Sequence, residues 1–275
     1  MPALNRVQLI GHLGKDPESK FTPTGKKVCH FSVGVNQRWK AAGEMKQRLA
    51  STFQTYHQLP FIGTFHSYCL LLLRTHARLL PFPNFSIMDA DDQLDLIKKI
   101  SKKYAMAKQV SPSQLNHYIS QLKNNAAAGA SPDKVGWMPP HVREVYLEYE
   151  TQKSQAHCLD FDDLIIYVLQ FLQTNKEFKT EFQTNIRHIL IDEYQDTSAV
   201  QHQLLLAMAH NNKKKTVMDS VCAVGDEDQS IYSWRGATVA NMLKFQSDFA
   251  PVTVVKIEQN YRSAQPILDA ANAVI

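Results

Sequence analysis

The sequence predicts an α/β fold, and three stretches predict it. Ile189-Leu190-Ile191 is a run of branched apolar residues that ends abruptly in the adjacent carboxylates Asp192-Glu193, with polar Asn185, Arg187 and His188 ahead of it. A buried strand of a parallel sheet reads this way. Val221-Cys222-Ala223-Val224 reads as a second buried strand, broken at Gly225 into polar groups that include Gln229, and Val252-Thr253-Val254-Val255-Lys256-Ile257 reads as a third. Ligands of α/β sheets bind outside the carboxyl ends of the strands. An Asp at that edge can hold a water-bound Mg²⁺, and the Glu after it can orient an attacking water. A strand running into an acidic, solvated loop has the same residues, so both meanings stand until the downstream sequence is considered.

Composition narrows the class. With 275 residues the chain has length for one large domain or two modest ones. Its 44% apolar content is ordinary for a water-soluble protein, and a net charge of +4 points to polyanions only where the basic groups cluster. Cys29, Cys69, Cys158 and Cys222 lie far apart, with neither a Cys-x-x-Cys nor histidines at ligand spacing, and read as buried or idle thiols. The N-terminus has no long apolar core behind basic residues, and the apolar run at 69–73 is too short to span a bilayer. A reducing, cytoplasmic setting without a membrane partner is the expectation.

Residues 1–39 read as two strands, at 6–11 and 28–35, separated by the turn signals Asp16-Pro17 and Thr22-Pro23-Thr24-Gly25. From Leu4-Asn5-Arg6-Val7 through Gly11-His12-Leu13-Gly14-Lys15-Asp16-Pro17-Glu18 to Asn36-Gln37-Arg38-Trp39 the segment resembles the start of bacterial single-stranded DNA-binding proteins. The resemblance implies an incomplete OB-fold segment in which Trp39 stacks on a base. Two or three strands do not close a barrel, so sheet edges stay exposed unless something else covers them. Gly11 to Lys15 and Gly25-Lys26-Lys27 lack the spacing and terminal hydroxyl of a phosphate-cradling loop, which needs Gly, four residues, then Gly-Lys-Ser/Thr.

From Lys40 the pattern turns helical. Residues 61–67 read as a short strand entering a helix, with Thr64 and Ser67 available as caps; donors there suit a DNA phosphate, and local capping explains them as well. Residues 89–150 read as helices. Lys98, Lys99, Lys102, Lys103 and Lys108 concentrate charge there, as a solvated face or as a nucleic-acid track. Breaks fall at Ser131-Pro132 and Met138-Pro139-Pro140, a helix begins near His141, and another begins at 159–165 with acids in its first turn. Asn211 to Lys215 reads as a polar connector.

The remaining motifs carry the chemistry. Ile231-Tyr232-Ser233-Trp234-Arg235 places aromatics beside an arginine, which suits stacked bases and a phosphate backbone as well as core packing. Glu258-Gln259-Asn260-Tyr261-Arg262-Ser263 follows the third run, and Arg262 could neutralise charge on a transferring phosphoryl group or simply sit exposed. Asp192-Glu193-Tyr194-Gln195-Asp196, Gly225 through Ala237 and Gln259 through Ser263, in this order, resemble motifs II, III and IV of the UvrD/Rep/PcrA group of superfamily 1 DNA helicases. Residues 40–49 are similar to part of motif Ia, 63–67 to motif Ib, and 159–164 to a further signature of the group.

That resemblance implies a partial RecA-like parallel sheet of a P-loop NTPase with an all-helical insertion. It implies hydrolysis of ATP with Mg²⁺ and 3′ to 5′ movement on single-stranded DNA. By position, Asp192 would bind Mg²⁺, Glu193 activate water, and Gln229 and Arg262 contact the γ-phosphate. Tyr232, Trp234 and Arg235 would bind DNA, together with Thr64 and His66 of the motif Ib stretch. Four regions are expected: 1–39, the OB-like segment; 40–88, the start of the motor domain; 89–155, the helical insertion; and 156–275, the remainder with motifs II to IV. The group places its phosphate loop upstream of motif Ia, where this chain carries the DNA-binding-protein segment, and its second motor domain would follow motif IV. The sequence therefore reads as a fusion near Trp39-Lys40. Three outcomes are expected to compete: a helicase motor that needs missing parts from a second chain, a single-stranded DNA binder that does not hydrolyse ATP, and a rearranged product without a stable fold.

Overall fold

The helix starts are written in their capping residues. Asp89, Ser111, Asp160, Asn175 and Ser198 each precede a helix and accept, through the side chain, backbone N–H groups of its first turn. Those groups have no partner within the helix itself. At Ser111, Asp160 and Ser198 the bond is reciprocal, because Gln114, Asp163 and Gln201 reach back to the N–H of the cap.

The computed structural model describes residues 12–13, 18–21, 27–30, 33–34, 60–104, 106, 110–129, 138–213, 215–230, 240–257 and 264–272. It divides into two compact units, Met1–Thr64 and Phe65–Ile275. In the first, β1 (His12–Leu13) pairs antiparallel with β4 (Val33–Gly34), and β2 (Glu18–Phe21) with β3 (Lys27–His30). β3 and β4 both fall within the expected second strand, and β2 lies between the two expected turn signals. The Thr22-Pro23-Thr24-Gly25 signal lies in the sequence between Phe21 and its register partner Lys27, outside the described residues. The strand expected at 6–11, the helix expected at 40–49 and Trp39 lie outside the described residues.

In the second unit the order is α1 (Phe65–Thr75), β5 (Ser86–Ile87), α2 (Ala90–Lys103), α3 (Pro112–Ala127), α4 (Val142–Gln155), β6 (Cys158–Leu159), α5 (Phe161–Thr174), α6 (Lys176–Asn185), β7 (His188–Ile191), α7 (Ala199–Ala209), β8 (Ser220–Ala223), α8 (Ala240–Asp248) and α9 (Gln265–Asn272). β5 pairs with β6, and β7 with β8, both in parallel. One apolar core surrounds α5, whose Leu164, Ile165, Val168, Leu169 and Leu172 are buried along with Cys69 and Leu73 of α1, Phe178 and Phe182 of α6, and Leu204 and Leu205 of α7. A helix apolar on nearly every side sits in the middle of its domain. A second core gathers α2, α3 and α4 through Ile97, Ile100, Leu115, Ile119, Val145 and Tyr149.

Charged groups join the two cores. The Lys123 ammonium of α3 lies 2.8 Å from Asp160 Oδ1 and 2.6 Å from Asp163 Oδ1 at the start of α5. Lys153 of α4 donates to Glu150 at 2.8 Å and to Asp160 Oδ2 at 3.0 Å, and the Tyr149 hydroxyl donates to the same oxygen at 2.9 Å. Side-chain exposure is 4% for both lysines and 0% for Asp160, so these charges are out of water and depend on one another. Burial pushes the Asp160 carboxyl up, but the charges of Lys123 and Lys153 outweigh it and hold the group well below the usual carboxylate range. Glu150, Asp160 and Asp163 approach closely enough to hold a metal ion, but the lysine ammonium groups already occupy that role. The acids expected only to favour the helix dipole at 159–165 thus do more: they cap α5 and fasten it to α3 and α4.

Several sequence expectations are corrected. Residues 60–64 hold no strand, and the chain enters helix directly at Phe65. The extended-looking stretch is very short, and the Tyr-Cys-Leu-Leu-Leu-Leu run behind it favours helix. Ser67 accordingly lies inside the first turn rather than before it. Residues 252–257 are not a strand either, and Val254, Val255 and Ile257 are exposed; a β-branched run becomes a strand only where a ladder partner meets it. β7 and β8 are strands, but not buried on both faces. Ile191 is buried, and Ile189, Val221 and Ala223 pack against the first core, whereas Leu190 is 76% exposed and Cys222 is exposed. Helices cover one face of this pair among the described residues. Lys98, Lys99, Lys102 and Lys103 all lie exposed on α2, with Lys103 paired to Glu148 at 2.9 Å; Lys108 is outside the described residues. Among the described residues, no helix is long and apolar enough to cross a membrane.

Removing Lys123 strands buried carboxylates. Lys123→Met is therefore expected to cost about 3–5 kcal/mol in urea unfolding. Because the folded pKa of Asp160 is depressed, its contribution is fully present above the unfolded value of about 4 and is lost as pH falls towards the folded value. Unfolding free energy should decline from pH 5 towards pH 2, and less steeply in Lys123→Met.

Candidate active site

Parallel pairing sets the site. With Ile191 opposite Ala223, β7 and β8 end at the same edge, and the ladder continues beyond them: Val224 N donates to Ile191 O at 2.8 Å and Tyr194 N to Val224 O at 2.9 Å. Asp192-Glu193 therefore lies beside Gly225-Asp226. The opposite end of the pair is tied by the Arg187–Asp219 ion pair and by a 2.9 Å bond between His188 Nδ1 and Ser220 Oγ.

Asp192 is exposed, and its Oδ1 accepts the Glu193 N–H at 3.0 Å. Glu193 has φ 53° and ψ 45°, the left-handed region that side-chain-bearing residues rarely adopt. That conformation turns the chain from the strand into the short 3₁₀ turn Tyr194–Asp196. Strain of this kind persists where neighbours over-determine it, and here the neighbour is Gln195. Only 1% exposed, Gln195 donates from Nε2 to Glu193 Oε2 at 2.7 Å and accepts the Asp226 N–H at Oε1, 3.1 Å away. An amide both donates and accepts, so one side chain can bridge the two strand ends. Gly225 makes room for it: a Cβ there would stand 2.6 Å from Gln195 Oε1 and 3.2 Å from the backbone nitrogens of Tyr194 and Gln195.

Gln229 ends a 3₁₀ turn, Glu227–Gln229, and its side chain donates to Asp226 Oδ2 while its backbone N–H donates to Asp226 O at 3.2 Å. Asp192, Glu193 and Gln229 thus reach one edge, where a hydrogen-bonded chain runs from Glu193 through Gln195 and Asp226 to Gln229. Asp196 adds a carboxylate whose Oδ1 is buried without a partner; burial, and then the charge of Glu193, raise its pKa. Among the described residues, the acids close enough together to form a three-carboxylate group are Glu150, Asp160 and Asp163, not those of this edge.

The other expected site residues are distributed differently. Trp39, Tyr232, Trp234, Arg235 and Arg262 lie outside the described residues. Thr64 closes the first unit. His66 stands in the first turn of α1 with its ring edge-on to Phe161 at 6.2 Å, and burial lowers its pKa against the opposing charge of Asp162. Gln195 and Asp226 had no assigned role in the sequence analysis. The available signal was a Gln two residues beyond the acidic pair and an Asp immediately after the strand-breaking glycine.

Gly225→Ala is expected to cost about 1–3 kcal/mol in chemical denaturation, as over-packing does. In a Gln195→Ala background the cost should shrink without vanishing, since the backbone contacts remain.

Two family models match the chain. The family model for the UvrD/REP helicase N-terminal domain matches residues 38–250, and that for the single-strand binding protein family matches residues 4–57. The chain is 38% identical over 281 residues to ATP-dependent DNA helicase UvrD1 of Mycobacterium leprae, covering 93% of this chain and 36% of that protein. It is 37% identical over 255 residues to ATP-dependent DNA helicase PcrA of Staphylococcus aureus, covering 91% and 34%. To the probable DNA helicase II homolog of Rickettsia conorii it is 40% identical over 246 residues, covering 86% and 36%. The chain spans about a third of the length of the curated relatives it matches. The acidic pair at the end of β7 lies inside the larger matched region, and the chain belongs to the UvrD/REP helicase N-terminal domain family.

Proposed function

We propose that residues 40–275 form a partial RecA-like motor lobe of the ATP-dependent, 3′ to 5′ DNA helicase type, interrupted by a helical insertion at 89–155 and preceded by an OB-like segment at 1–39. As encoded, the chain binds single-stranded DNA without turning over ATP. The observation that carries this reading is the shared edge of β7 and β8, where Asp192, Glu193 and Gln229 converge in the order that the helicase motifs require. Separate helical and α5-centred cores support the division at 89–155.

Asp192 fits a Mg²⁺ ion, which keeps several waters and needs only one or two carboxylates. When bound, such an ion would neutralise charge on phosphoryl oxygens. The residues fit ATP itself less well. Phosphoryl transfer depends almost wholly on positioning and electrostatics, and the sequence contains no Gly, four residues, Gly-Lys-Ser/Thr to cradle the phosphates. Glu193, held by Gln195, keeps the placement of a water-orienting carboxylate. DNA binding falls to Trp39, Tyr232, Trp234 and Arg235, with Thr64 and His66 as backbone contacts. Hydrolysis would require a phosphate cradle, which a second chain is one way to supply, and Arg262 brought to the same edge. A cytoplasmic setting is supported by the free thiols of Cys69, Cys158 and Cys222.

Purified chain is expected to show no ATP turnover, with or without oligothymidylate. Turnover that disappears in Glu193→Gln would overturn the non-hydrolysing reading. Binding to oligothymidylate, followed by fluorescence anisotropy, should weaken with salt and should weaken by about tenfold in Trp234→Ala, the effect of losing one base stack.

A further inference from the structure

Behind the acidic edge runs a polar relay, buried at Tyr194 and His202 and half-buried at Asp248. The Tyr194 side chain, 1% exposed, is bonded through its hydroxyl to Nδ1 of His202 on α7, and His202, 3% exposed, is bonded through Nε2 to Asp248 Oδ2 at 2.9 Å. An ionised Asp248 only accepts, so Nε2 carries the proton and donates to it. Nδ1 is then the acceptor, and the Tyr194 hydroxyl donates. Burial raises the Tyr194 pKa, which keeps that donor protonated. Since the hydroxyl is enclosed, the triad cannot serve as a nucleophile.

The connections make α8 and the acidic edge one body. Asp248 is the last residue of α8, and near the other end of that helix Asn241 Nδ2 donates to Thr197 O at 3.0 Å and to Ser198 O at 3.1 Å. Between these anchors Phe245 meets the Tyr194 ring edge-on at 5.3 Å and stacks on Phe249 at 4.5 Å. Thr197 Oγ1 in turn donates to Tyr194 O at 2.7 Å. Contacts from α8 land on Tyr194, Thr197 and Ser198, which follow Glu193, and on His202 of α7, which is itself bonded to Tyr194. A left-handed backbone at Glu193 needs its neighbour held, and Tyr194 is held by its N–H on Val224 and by its side chain on His202.

We propose that His202 is a positioning residue that, by linking Asp248 of α8 to Tyr194, fixes the backbone at Glu193 and makes the placement of that carboxylate depend on α8. This rests on the reading of Glu193 as the water-orienting group, but its mechanical content is independent of nucleotide and DNA. Sequence alone did not point to it, because the three side chains stand 8 and 46 residues apart along the chain.

The test is amide hydrogen exchange by mass spectrometry on the full chain, comparing wild type with Asp248→Ala, Asp248→Asn and His202→Phe. Exchange in peptides covering 190–197 should quicken by about tenfold in Asp248→Ala and His202→Phe, as local opening becomes easier. In Asp248→Asn it should stay within about twofold of wild type, because the amide oxygen still accepts from Nε2. Unchanged exchange at 190–197 in Asp248→Ala overturns the proposal. So does equal behaviour of the Ala and Asn variants, or acceleration that extends equally to α3 in the second core, which would signify global loss of stability. A wild-type chain that fails to bind oligothymidylate instead overturns the DNA-binding reading and leaves the exchange result to decide the relay.

Discussion

The parallel ladder between β7 and β8 is the constraint on which the site depends. Parallel strands end at the same edge, whereas antiparallel neighbours would put the acidic pair and the glycine turn at opposite ends. Two backbone bonds carry the ladder past the strands, from Val224 to Ile191 and from Tyr194 to Val224, and they bring Asp226 within reach of Gln195. Everything polar at the edge follows from that closeness. Gln195 can bridge because Gly225 has no side chain, and Glu193 can hold a left-handed backbone because residues on either side of it are tied down.

A second constraint acts at a distance from the edge. The helical group α2 to α4 has its own apolar core and is joined to the rest through Lys123, Lys153, Asp160 and Asp163. Apolar surfaces would attach two bodies without choosing an orientation; buried charges tolerate only the arrangement in which each finds its counter-charge. Asp160 accepts from Asp163 N, from both lysines and from the Tyr149 hydroxyl. The same carboxylate starts α5 and orients the helical group, so local capping and long-range docking depend on one residue.

The sequence made some of this legible and concealed the rest for identifiable reasons. β7, β8, the helix near His141 and the helix after Leu159 stood out because apolar runs, prolines and capping acids are local signals. The runs at 61–63 and 252–257 carried the same β-branched and aromatic residues but form no strand, since composition says that a stretch can pair and not whether a partner is there. Leu190 looked as buried as Ile191 and is 76% exposed. Alternation along a strand assigns residues to faces, but which face is covered depends on the helices packed against it.

At the site, Asp192, Glu193 and Gln229 could be named from motif position. Gln195, His202 and Asp248 could not, because their roles are contacts among residues distant in the chain. What the sequence by itself determined is chemistry and local order: the acidic pair at a strand end, the glycine that breaks the second strand, the acids in the first turn of α5 and the family. Only the tertiary structure decided that Gln229 bonds to Asp226, that Gln195 spans two strand ends, that Leu190 is exposed and that α8 is tied to Tyr194. Those outcomes follow from packing in three dimensions, where bonds a few ångströms long join residues tens of positions apart and no periodicity records them.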